Sequence, residues 1–189
     1  MLEYDFDFGD SKLHSLLNQY KTFPPKYKVV GIFDCDEANG KDISDKGGTK
    51  EYRHNVWGMS IPIPNFRSYN TSGISIEFLY KDEDLKRKDE DGRRIYITSE
   101  FDENGRLKME HRIGVKNHHD VKNYIQPETE KIQADEVIDI EGNSLALSKE
   151  QFATNILNRI GDFANVDFEA FRPVFERLRD IIQNTNISV

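Results

Sequence analysis

Two aspartates one residue apart, Asp34 and Asp36, follow at once on the apolar run Val29, Val30, Ile32, Phe33, with Glu37, Asn39 and Gly40 just behind. Carboxylate oxygens are hard donors. Two on one loop suit a cation such as Mg²⁺, which takes one or two carboxylates and leaves its other positions to water and substrate phosphate oxygens. The D-x-D pattern is also short, and aspartates at a strand end can simply shape a turn. The element that carries the pair therefore matters. The run is too brief for a helix and is β-branched and aromatic, which predicts a buried strand near residues 28 to 33. Open α/β sheets bind ligands at the carboxyl ends of their strands, where loops bring side chains together. Asp34 stands at such an end.

The neighbouring elements fit that placement. The alternation in "YDFDF" predicts a first strand near residues 3 to 8. Asp10 or Ser11 can then cap a helix with Leu13, Leu16, Leu17 and Tyr20 on one face, stopped by Pro24 and Pro25. Strand, helix, strand is the βαβ order of a parallel sheet. Residues 39 to 54 read as a loop rich in Gly, Asp and Lys, and "NVWGMSIPIP" as a strand ended by Pro62 and Pro64. "SGISIEFLY" fits a short helix or a strand. "KDEDLKRKDEDGRR" reads as a solvated loop. Ile95, Ile97, Phe101 and Leu107, Met109, Ile113 alternate on either side of Asn104-Gly105, which predicts a β-hairpin. Ser148 and Gln151 form a capping box for a helix striped by Phe152, Ala153, Ile156, Leu157 and Ile160. A second helix is expected over Phe171 to Ile182, burying Phe171, Val174, Phe175, Leu178, Ile181 and Ile182, with Pro173 near its start.

The expected fold is therefore α/β: a mainly parallel sheet with flanking helices, an inserted β-hairpin and a helical C-terminal cap. Residues 1–115 would form the body, 116–147 a polar connecting segment and 148–189 the cap. The chain has 189 residues, 32% charged and 37% hydrophobic, with 12 Phe and 8 Tyr available for an interior. That length supports one main domain. The net charge of −8 argues against a general nucleic-acid coat. It does not exclude a nuclease, whose basic residues can be confined to one groove and whose metal ions offset repulsion. No apolar run is long enough to span a bilayer, and the acidic start "MLEYDFDFGD" is unlike a signal peptide. One cysteine, Cys35, cannot form an internal disulfide, in keeping with a reducing compartment. A cytoplasmic protein without a membrane partner is expected.

"GIFDCDEANGK" resembles the second motif of the Toprim superfamily, the catalytic domain shared by primases, topoisomerases and OLD-type nucleases. Asp34 and Asp36 match the family's two metal-binding aspartates, and "ISIEFLY" around Glu77 is similar to an acidic helix found downstream in some Toprim-like proteins. The resemblance covers about residues 1 to 80. It implies Mg²⁺ (or Mn²⁺) held by Asp34 and Asp36, with Glu37 and Glu77 as further ligand candidates, and hydrolysis of phosphodiesters in DNA or RNA. Asp34 and Asp36 are then the catalytic pair, neutralising the scissile phosphate through the metal and activating water. The family's first glutamate, placed after an earlier strand, has no counterpart, because Glu3 precedes the first expected strand. A partner chain or a missing N-terminal segment would then complete the site, or the chain would be a non-catalytic fragment or interaction module. Arg87, Arg93, Arg94, Arg106 and Arg112 flank the expected hairpin and are the candidates for contact with nucleic acid. Lys149, at a helix start, is a further candidate to assist a phosphate.

Three other chemistries are open to these residues. A haloacid-dehalogenase-type phosphatase also sets Asp-x-Asp after a strand, and Thr98, Lys149, Asp162 and Asp167 follow in the required order. That family expects Thr or Val where Ala38 stands, and a strand before the late acids where a helix is expected here. Zinc at His118, His119 and Asp120 would need ligands from elsewhere, because adjacent histidines point to different sides. Cys35 lies between two carboxylates, which disfavour its thiolate.

Overall fold

The computed structural model describes residues 9–35, 43, 48–67, 75–111, 115–117, 131–133, 137–139 and 141–183. The strand expected at residues 3 to 8 lies outside them. The chain divides into two units, Met1–Pro64 with Ser72–Ile76 and Phe171–Val189, and Asn65–Thr71 with Glu77–Ala170. The fold is mixed α/β, with a small three-stranded mixed sheet and, among the described residues, four α-helices.

In the first unit, helix α1 (Asp10–Tyr20) leads to strand β1 (Val29–Phe33), which pairs in parallel with β3 (Val56–Ser60). Gly9, not Asp10 or Ser11, occupies the N-cap, and no side chain caps the helix. Its carbonyl instead accepts the amides of Lys12 and Leu13 at 2.9 and 3.1 Å. Leu17 packs with Phe33, Ile43 and Val56, and Leu13, Val29 and Tyr52 lie against this cluster. Close approach explains Gly31: a Cβ there would meet Leu17 Cδ1 at 2.7 Å.

Part of the segment read as a loop over residues 39 to 54 is in fact strand β2 (Thr49–Arg53), antiparallel to β3, so the sheet order is β1-β3-β2. "TKEYR" lacks apolar alternation because most of this edge strand is exposed. His54 and Asn55, both at positive φ (50° and 67°), close the two-residue turn that makes the antiparallel pair. β1 and β3 pair in parallel and β2 and β3 antiparallel, so the sheet is mixed where a mainly parallel one is expected. Lys28 precedes β1 and donates to the carbonyls of Ile181 and, at 3.2 Å, Ile182. It thereby serves the last turn of a C-terminal helix, Arg172–Gln183, whose Pro173 sits in the first turn where no intrahelical donor is needed. Val174 and Ile181, seven residues apart, are buried; Phe175 and Ile182, one step further round, are exposed, contrary to the expectation that they are buried.

A 3₁₀ turn over Ile76–Leu79 starts at Ile76, where the chain passes from the first unit into the second, and a short helix α2 (Asp82–Leu85) follows in the second unit. The charged segment read as a solvated loop thus contains buried Asp84 and Leu85. The expected hairpin is reduced to one bridge, Phe101 with Leu107, around a turn in which Asp102 accepts the amides of Asn104 and Arg106 and Gly105 takes φ 73°. Its flanks turn into 3₁₀ segments at Thr98–Glu100 and Met109–His111. Strand β4 (Tyr96–Ile97) pairs instead with β6 (Ile132–Gln133), and β5 (Val115–Asn117) pairs with β7 (Val137–Asp139), both antiparallel. Tyr96, Phe101, Leu107, Val137 and Ala146 form this unit's core cluster.

Helix α3 (Lys149–Leu157) has the expected box: Ser148 Oγ accepts the Gln151 amide at 3.1 Å, and Gln151 Oε1 accepts the Ser148 amide at 3.2 Å. Phe152 is buried edge-on to Phe163 and Tyr80, whereas Leu157 is 82% exposed, roughly 140° further round the helix. The helix Arg172–Gln183, described with the first unit, is α4. Among the described residues no helix is long and apolar enough to cross a membrane.

Candidate metal and nucleic-acid site

Strand β1 ends where the apolar run ends, and Asp34 is the first residue beyond it. The β1–β3 pairing continues one step past the strand, with the Ile61 amide donating to the Phe33 carbonyl at 3.0 Å. Buried Cys35 then donates its thiol to the Ile61 carbonyl at 3.0 Å, so the residues on both sides of Asp34 are fixed. Asp34 is half-buried, and its Oδ1 accepts the amide of Ile76 at 3.0 Å. A carboxylate carried by a parallel strand and oriented by a backbone donor is preorganised to meet a cation with little loss of side-chain freedom. The thiol of Cys35, buried and donating to backbone, has a packing role.

Asp36, Glu37 and Arg112 lie outside the described residues, as do His118, His119 and Asp120. Glu77 is described, in the second unit, and its Oε2 is 3.1 Å from the Lys149 ammonium at the start of α3. The two peripheral candidates of the sequence are thus brought together as an ion pair. Among the described residues no group of three or more His, Cys, Asp and Glu side chains is placed to hold a metal.

The segment after Glu77 is held by a residue with no assigned role in the sequence. Arg67, 6% exposed at its side chain, donates to the carbonyls of Phe78 and Tyr80 and pairs with Asp82. An isolated arginine in a polar stretch carries no pattern that would reveal this.

Three of the five candidate arginines are engaged within the second unit. Arg87 pairs with Asp84 at 2.6 Å and donates to the carbonyls of Asp162 and Asn165. Arg93 pairs with Asp89 at 2.8 Å and Asp91 at 3.2 Å. Arg94 grips Glu100 with two bonds of 3.0 and 2.7 Å and lies 3.7 Å over the Tyr96 ring. Arg106 is exposed on the turn, where its amide donates to Asp102.

The residues of the phosphatase alternative have structural partners in that unit. The Thr98 hydroxyl exchanges hydrogen bonds with the backbone of Lys131 at 3.1 Å in both directions. Asp167 pairs with Lys81 at 2.8 Å and accepts the Glu169 amide. The Lys81 hydrogen bond, followed by that amide, holds the Asp167 carboxyl below the usual aspartate range. Asp162 is exposed in the turn Gly161–Asn165. No protein-family model matches the chain, and neither does any curated protein or solved structure.

Proposed function

We propose that the chain is a Toprim-like, Mg²⁺-dependent nucleic-acid-processing domain of the cytoplasm, a nuclease component that hydrolyses phosphodiesters, with Asp34 and Asp36 as metal ligands. The parallel β1–β3 pair would be the centre of the Toprim-like sheet. The observation that supports this reading is the position of Asp34, half-buried at the carboxyl end of a parallel strand, between two backbone-anchored neighbours. Its oxygens are the donor type that Mg²⁺ or Mn²⁺ takes, and the D-x-D spacing supplies a second carboxylate from the same loop. When bound, the metal offsets charge on the scissile phosphate and lowers the pKa of coordinated water. The chain's own part is to hold Asp34 at a fixed orientation, through the amide of Ile76 and the strand behind it. Glu37, from the same loop, remains a candidate for a further ligand.

A second reading, a non-catalytic interaction module, draws support from Arg87, Arg93 and Arg94, whose guanidiniums are committed to internal carboxylates. Cleavage assays separate the two. Labelled DNA and RNA oligonucleotides are incubated with Mg²⁺ or Mn²⁺, with EDTA as control and an Asp34→Asn variant alongside. The nuclease reading expects metal-dependent cleavage that falls by about 10²-fold or more in the variant, since the metal's contribution to the transition state is worth several kcal/mol. Undiminished cleavage in the variant would remove Asp34 from the site. A wild type with no metal-dependent cleavage would favour the interaction module.

A further inference from the structure

In a chain of net charge −8, residues 11 to 33 contain four lysines and no Asp or Glu. Strand β2 and its turn add Lys50, Arg53 and His54 against a single acid, Glu51. The fold brings the two stretches together in the first unit. Lys21 and Thr22, at the end of α1, and Tyr52, Arg53 and His54, at the β2–β3 turn, line one open cavity of about 410 Å³. A bulge makes this possible. The register shifts between Glu51 and Arg53, so that Tyr52 and Arg53 together stand against Val56. Successive strand residues normally face opposite ways, whereas here both line the same cavity. The Lys21 and Lys50 ammoniums lie 6.0 and 5.4 Å from the Tyr52 ring. In the last turn of α1 the carbonyls of Leu17, Gln19 and Tyr20 accept the amides of Lys21, Thr22 and Phe23, which limits their repulsion of an anion. Directly after Lys21 and Thr22, Phe23 and Tyr27 are 78% and 72% exposed, a high exposure for large aromatic rings.

Cations that track a phosphate backbone, interleaved with exposed rings on which bases stack, are what a single-stranded nucleic acid requires of a surface. We propose that this face of the first unit, centred on Lys21, Arg53 and His54, together with the exposed rings of Phe23 and Tyr27 that follow Thr22 along the chain, binds single-stranded nucleic acid. The proposal rests on the nucleic-acid reading above and gives the strand a surface built from first-unit residues.

The test is fluorescence anisotropy of labelled dT20 and U20 with the full chain in EDTA, across a series of salt concentrations. The variants are Lys21→Gln/Arg53→Gln, Phe23→Ala and Tyr27→Ala, each checked for wild-type circular dichroism. All four positions are at the surface, and each variant tests the surface by itself if another fails to fold. Wild-type binding should fall with salt, and the double variant should lose about 1.4 from the log–log slope, roughly 0.7 for each phosphate contact on a single strand. The aromatic variants should weaken binding about fivefold or more with the slope retained. U20 bound as dT20 assigns the shared backbone and stacking chemistry; a preference for one names the natural strand. Absence of wild-type binding, an unchanged slope in the double variant, equal affinity for duplex, or equal competition by polyglutamate would overturn the proposal. Binding in EDTA without any metal-dependent cleavage would remove the nuclease reading and keep this surface. Cleavage with wild-type affinity in the double variant would do the reverse.

Discussion

Glu100 is 2% exposed, and its two oxygens receive the Arg94 guanidinium and, at Oε2, the Ile97 amide at 3.0 Å. Lys86 and His111 stand further off, at 3.9 and 3.8 Å. A carboxylate removed from water needs such partners, and deleting one partner of a buried pair typically costs about 3–5 kcal/mol. Arg94→Ala should therefore lower the stability of the second unit by that order, read as a fall in the urea midpoint monitored by Tyr96. An unchanged midpoint would mean that Lys86 takes over the charge. Asp84, 1% exposed, repeats the arrangement with Arg87 and the Asp167 amide. These acids were unreadable in sequence for one reason. "KDEDLKRKDEDGRR" shows charge of both signs, and only the folded chain decides which Asp is inside and which Arg follows it there.

At the scale of elements, the packing of α1 on β1 determines where the strand runs and therefore where Asp34 emerges. Gly31 is the tightest point, since a Cβ would stand 2.7 Å from Leu17 Cδ1 and 3.2 Å from Phe33 Cε2. Gly31→Val should push the helix outward and destabilise by about 1–3 kcal/mol, the usual cost of overpacking. A thermal melt checks this, and a melt unchanged from wild type would show that Leu17 can move aside freely. Elements with a local signal were legible. The apolar run 29 to 33 became β1 at those residues, Pro62 and Pro64 follow β3, and Ser148 and Gln151 cap α3. Elements made by distant pairing were not. "TKEYR" is a strand because β3 and the turn at His54 and Asn55 hold it, and Tyr96 and Ile97 find their partners far along the chain, at Gln133 and Ile132.

For the whole molecule, the two units interleave in sequence: the first includes α4, and the second carries α2, α3 and the small strand pairs. No composition break marks such a division, because a chain that leaves a unit and returns to it does so through ordinary loops. Charge is distributed unevenly on this scale too. The acid-free stretch from 11 to 33 contrasts with the overall excess of 34 Asp and Glu over 26 Lys and Arg. Of the candidate site, the strand end at Asp34 was readable from the apolar run before it, while the Ile76 amide that orients its carboxylate, forty-two residues on, was not. The role proposed for this carboxylate is to hold a divalent cation together with Asp36. Calorimetric titration of Mg²⁺ and Mn²⁺ into the chain, beside an Asp34→Asn/Asp36→Asn variant, tests it most directly. Saturable binding to the wild type that is lost in the variant is the expected result. No binding to the wild type, or the same isotherm for both proteins, would contradict it.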